Sequence, residues 1–170
     1  MGVTIHYRGK LRSEAHLPRL QTALLPWAKR WHTDLEEIDD PDGWAFRVRG
    51  NEVYEFKGRL HGFHLHPHEK AETLMFRVSD DLEMQESCKT QFATADVHVG
   101  IIELLMEIKP LFTGFKVKDD GGYWDTGDRE ELERRMGLLN RMIDGLAKAF
   151  PPAPDEIMRR FNKTPQSGDN

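Results

Sequence analysis

Four of the chain's eight histidines fall within the ten-residue stretch RLHGFHLHPH, at His61, His64, His66 and His68. Neutral imidazole is a common metal ligand and titrates near physiological pH, so such a cluster invites metal or proton-transfer chemistry. On a strand, residues two apart project from one face about 7 Å apart. His64 and His66 would then converge, while His68, beyond Pro67, leaves the strand and swings independently. Glu69, Glu72, Cys88 and His98 are of the types that complete a site for a divalent metal such as zinc. The metal set drawn from this pattern is His64, His66, His68 and His98. A plainer reading makes the imidazoles the polar outer face of an amphipathic strand, since the sequence holds neither a helical His-Glu-x-x-His motif nor paired cysteines. On that reading His61 and His64 are surface positions, and functional weight falls on His66 and His68.

Two further stretches carry polar side chains suited to binding. In CKTQFATADVH, Lys89, Thr90 and Gln91 precede a helix start, where free backbone donors and the helix dipole attract anions. Against this, Thr94 suits a helix cap, Lys89 a solvated loop, and His98 in the first turn a satisfied core histidine. In DDGGYWDTGD, four carboxylates surround Tyr123 and Trp124. Their spacing does not meet the order of an EF-hand calcium loop. The two aromatics suit either a ligand platform or a plug over the core.

The elements that must position these groups follow from periodicity. Thr4–Leu11 alternates as an N-terminal strand. A helix opens near Pro18 with Leu20, Leu24, Trp27 and Trp31 on one face, and Pro26 predicts a kink or a split within it. Asp39–Gly43 reads as a turn, and Trp44–Ser79 as two to four strands in which Phe63 and Leu65 face the core. DDLEMQES reads as a loop. A helix capped at Thr94 and stopped by Pro110 carries apolar residues almost all round, leaving Glu103 and Glu107 wet. A short strand at Phe115–Lys118 precedes a last helix opened by Asp128 and Glu131 in a capping-box arrangement. This order predicts an α+β class: a single mixed or antiparallel sheet with helices on one face, ferredoxin-like or related. Residues 1–150 form the domain, and 151–170 a C-terminal extension expected to be mobile.

Composition narrows the functional classes. Apolar residues at 38% and charged residues at 31% place the chain among globular domains rather than disordered ones. With 24 Lys and Arg against 29 Asp and Glu, a net charge of −5 supplies no general attraction to phosphate backbones, so no nucleic-acid partner is expected. Cys88 is the single cysteine, which rules out an intrachain disulfide and indicates no oxidising compartment. The sequence shows no secretory apolar segment and no run long enough for a membrane span, so a cytoplasmic location is expected.

The stretches HPHE, KTQFA followed by a histidine and a buried helix, and GGYWDTGD leading into the final helix together resemble a family of small prokaryotic proteins with no assigned activity. The resemblance spans most of residues 1–150 and implies no mechanism. It places His66, His68, Lys89, Thr90, Gln91, His98, Tyr123, Trp124 and Asp125 at that family's recurrent motif positions. RLHGFHLH and Pro26 depart from its pattern. These nine residues form the expected ligand pocket of a binding domain for a small molecule or a protein partner. Two alternatives compete with it. One is a metal-assisted hydrolase or lyase with Glu72 or Asp125 as general base. The other is an immunity- or antitoxin-like protein whose acidic charge suits a basic partner.

Overall fold

The computed structural model describes residues 2–149. In chain order its elements are β1 (Thr4–Leu11), α1 (Leu17–Arg30), β2 (Glu36–Asp40), β3 (Trp44–Arg49), β4 (Glu52–Lys57), β5 (Leu60–Leu65) and β6 (Leu74–Val78). They continue with β7 (Glu83–Lys89), α2 (Ala95–Ile108), β8 (Phe112–Asp119), α3 (Tyr123–Thr126) and α4 (Arg129–Ala149). The class is α+β. The single sheet expected from sequence is replaced by three antiparallel ones: β7-β1-β8, β2-β5-β6, and the β3–β4 hairpin. No described helix is long and apolar enough to cross a membrane. The extension expected at 151–170 lies outside the described residues.

β1 is the central strand of the first sheet, and its alternation sends Ile5, Tyr7 and Leu11 into the core while His6 and Arg8 face out. The two larger sheets share one core. β5 and β6 contribute Phe63, Leu65 and Phe76, β7 contributes Met84 and Cys88, and α2 contributes Ile101, Leu104 and Leu105. Burying each of these large side chains stabilises the fold by about 1.5–3 kcal/mol. α2 is capped by Thr94, whose side chain accepts from Val97 N, as its sequence predicted.

Three expectations are corrected by packing. α1 is one continuous helix with Pro26 inside it, so the helix is not split there. Pro26 is exposed, and burial of Leu24, Trp27 and Ala28 on either side of it holds the helix together across the missing donor. DDLEMQES is largely strand, because Met84, Glu86 and Cys88 alternate inward and Glu86 is neutralised there. Its carboxylate accepts from Arg77 Nε at 2.7 Å and from Nη2 at 3.0 Å, a two-point pair joining β6 to β7 across the two sheets. His61 is not a surface position either. It shares the inward face of β5 with Phe63 and is 5% exposed.

Gly62 sets the spacing of β5 against β6. Its φ is +149°, and a Cβ placed there would lie 1.9 Å from Phe76 O, so only glycine fits. β8 pairs with β1 and has no other strand partner among the described residues. The β1–β8 register shifts between Arg8 and Lys10, and Gly114 takes a φ of +60°.

Candidate functional site

The KTQ stretch and the GGYW loop do meet, but inside the protein. Thr90, Gln91 and His98 are fully buried. Thr90 Oγ1 lies 2.7 Å from His98 Nδ1 and 3.3 Å from Val3 O. The hydroxyl donates to Val3 O, and the direction of its contact with Nδ1 is set by the imidazole tautomer. Nε2 is 3.1 Å from Asp119 Oδ1 but off the hydrogen-bond line, so the contact is electrostatic. Asp119 Oδ1 also accepts from Gly121 N at 2.7 Å and Oδ2 from Trp124 N at 3.0 Å. Burial raises the Asp119 carboxyl, but His98 and these two donors outweigh it, and the group titrates below its ordinary range. Gln91 Oε1 accepts from Val3 N at 2.7 Å, while Nε2 donates to Asn140 Oδ1 at 3.1 Å. The network thus ties the start of β1, α2, the end of β8 and α4 together.

The Thr90–His98–Asp119 order imitates a nucleophile–base–orienter triad. Thr90 is sealed from solvent at 0% exposure, and its neighbours are His98 and Val3, so no substrate reaches it. His98 is a core histidine, and its sequence signal was the helix start that placed it inward.

The histidine stretch does not converge with this network. His64 Nε2 is 2.5 Å from Glu36 Oε2 across the β2–β5 ladder, and its ring centroid is 6.2 Å from that of His66. His66 is exposed and contacts Thr73 Oγ1 at 3.2 Å, whereas His68 Nδ1 accepts from Lys70 N at 3.0 Å. Among the described residues no three His, Cys, Asp or Glu side chains cluster in a way that could hold a metal, so the set His64, His66, His68 and His98 is not brought together. Glu72 closes the loop onto β7, where its Oε2 accepts from Lys89 N at 2.9 Å and its carbonyl from Cys88 Sγ at 3.3 Å. Burial, aided by Glu72, pushes the Cys88 thiol up to about 12. Lys89 Nζ sits over the Phe92 ring at 5.6 Å. Tyr123 and Trp124 are half-buried against the core, and Asp125 is exposed. The nine expected pocket residues therefore divide between a buried lattice and separate surface positions.

A large open cavity lies elsewhere. The β3–β4 hairpin stands beside the outer face of the β7-β1-β8 sheet and encloses a groove of about 910 Å³. On the floor, Arg8 lies directly opposite Lys116 and His6 opposite Lys118 in the ladder. Like charges in facing positions destabilise a sheet, so the arrangement carries a cost in stability. Asp120, 3.8 Å from His6 Nε2 and 4.0 Å from Lys118 Nζ, neutralises one end. On the wall, Trp44 and Phe46 are 46% and 58% exposed, with ring centroids 4.6 Å apart edge to face. A second depression of about 280 Å³ continues past Arg8 and Gln85 to Lys10, Arg49 and Tyr54. The carboxylates lining the two are Glu86 and Glu83, held respectively by Arg77 and Arg47.

Arg47 fixes the hairpin in place. It is 4% exposed, and its Nη2 donates to Glu83 O at 3.0 Å. Its guanidinium lies over Phe56 at 4.1 Å, and Gln85 Oε1 adds a bond from Val48 N at 2.9 Å. Sequence reading took these residues only as strand positions. The available signal was the alternation of Arg8 with Lys10 and of Lys116 with Lys118, which puts each pair on one strand face.

Fold and groove together define a multi-sheet α+β domain with a basic, aromatic-walled cleft. Compared with models of known protein families, with curated proteins and with solved structures, the chain finds no match.

Proposed function

We propose that the protein is a ligand-binding domain whose site is the groove between the β3–β4 hairpin and the β7-β1-β8 sheet. The ligand is an anion carrying a flat or apolar portion. The observation that carries this reading is the facing of Arg8 and Lys116 below the exposed rings of Trp44 and Phe46. Cations supply charge complementarity, rings supply stacking area, and the lining carboxylates are already taken by arginines. The single buried thiol fits a reducing compartment, and the cytoplasm is the location that accompanies this reading. The likeness to small prokaryotic proteins of unassigned activity is compatible with it and rests on the quoted motifs.

An anionic naphthalene sulfonate, which combines a flat ring system with a charge, is the test probe. Titrated into the full chain at low salt, it gains fluorescence with micromolar affinity. Lys116→Glu with Lys118→Glu weakens that affinity at least tenfold at a melting temperature no lower than that of the wild type. Equal affinity in wild type and the double variant would overturn the assignment. The metal-hydrolase alternative would be favoured by zinc-dependent ester or peptide hydrolysis that His66→Ala abolishes.

A further inference from the structure

Resting on that reading of the groove, we infer that its ligand is single-stranded nucleic acid. A single anion needs one concentrated charge, but the cations here form a row. Lys118, Lys116, Arg8, Lys10 and Arg49 line the two joined depressions in turn. Lys118 and Lys116 on β8, and Arg8 and Lys10 on β1, are each two positions apart, about 7 Å along their strands. Lys116 faces Arg8, so the cations occupy three successive levels of the floor and present successive contacts to a chain of charges. Beside it stand Trp44, Phe46 and Tyr54, the last with Arg49 at 5.6 Å from its ring. A positively charged track flanked by rings on which successive bases stack is the general construction for binding single strands without sequence preference. A duplex hides its base faces and cannot use the rings. The expectation of no nucleic-acid partner came from the net charge of −5, an average that conceals where the charges lie. Glu36, Glu37, Asp39 and Asp40 sit on β2, in the other sheet. The two carboxylates that line the groove are paired with arginines, and Asp120 meets the row only at its Lys118 end, 4.0 Å from Nζ.

The test measures anisotropy of a fluorescein-labelled 12-nucleotide oligothymidylate with the full chain. Binding is expected to weaken with salt at a log–log slope of about −3, from four or so phosphate contacts on a single strand. Lys116→Glu with Lys118→Glu flattens that slope by roughly half. Trp44→Ala weakens binding about tenfold while leaving most of the slope, because stacking is lost and charge is kept. Circular dichroism melting confirms that both variants fold. Thymidine monophosphate binding as tightly as the 12-mer would overturn the nucleic-acid inference and leave the groove reading standing. Equal affinity for duplex DNA, or for an oligoglutamate of equal charge, would overturn it as well. If neither the oligonucleotide nor the naphthalene sulfonate binds, both readings fall.

Discussion

His98 Nε2 and Asp119 Oδ1 face each other at 3.1 Å with neither side chain reaching solvent. Asp119 is fixed by two backbone donors and His98 by Thr90, so the pair holds β8, α2 and the loop before α3 in one arrangement. His98→Ala is expected to lower stability by roughly 3 kcal/mol, since it opens a cavity and strands a buried carboxylate. Urea unfolding measures it. A loss below about 0.5 kcal/mol would mean the network does not stabilise the fold.

The same pair sets an acid limit. The folded-state Asp119 carboxyl lies below its ordinary value, so its contribution is fully present above that value, near pH 4. It is lost as pH falls through the depressed folded value. Asp119→Asn removes this contribution, so the variant is less stable at neutral pH and its stability falls less steeply below pH 4. Melting temperature across pH 2–6 gives the comparison.

Cys88 is fully buried, and its thiol is pushed up to about 12. Almost none of it is thiolate at pH 8. Ellman's reagent is expected to label it only after denaturant is added. Labelling of the native protein within minutes would show that β7 opens locally.

Gly62→Ala is expected to destabilise by 3 kcal/mol or more, on the order seen for severe backbone clashes, because Phe76 O occupies the place of the new methyl. Gly50 is the control. Its φ is +62° with open space around it, so Gly50→Ala meets backbone strain alone, about 1–2 kcal/mol. Equal costs at the two sites would contradict the close approach of β5 to β6.

Arg47→Ala is expected to cost roughly 1–3 kcal/mol and to free the hairpin, through loss of the bond to Glu83 O and the contact with Phe56. Arg47→Lys repairs little, because an ammonium cannot lie flat on a ring while bonding sideways to a carbonyl. Amide exchange in β3 and β4, faster than in β1 for both variants, is the readout.

Much of the frame was legible from local pattern. β1 and α2 were fixed by period-two and near-four spacings together with a cap at Thr94. β7 was hidden because one of its three inward residues is Glu86, and its partner Arg77 lies on another strand. His61 was misplaced because alternation was counted from His64 and His66, whose neighbours face the core, while His61 itself shares their inward face. The groove was out of reach for a different reason. It joins residues 6–8, 44–50 and 116–118, and strand order, unlike strand identity, is set by long-range packing.

Among the described residues the outer margin of β8 has no strand partner, which has a consequence for colloidal behaviour. A strand with an unpaired side is a template onto which another chain can add. Here the template is spoiled three times over: the register slips beside Gly9, Gly114 turns left-handed, and Lys116 and Lys118 place charge along the rim. A second β8 approaching edge to edge would meet bent backbone and like charge at once. The lysines offered to a ligand therefore also oppose edge-to-edge pairing of separate copies of the chain.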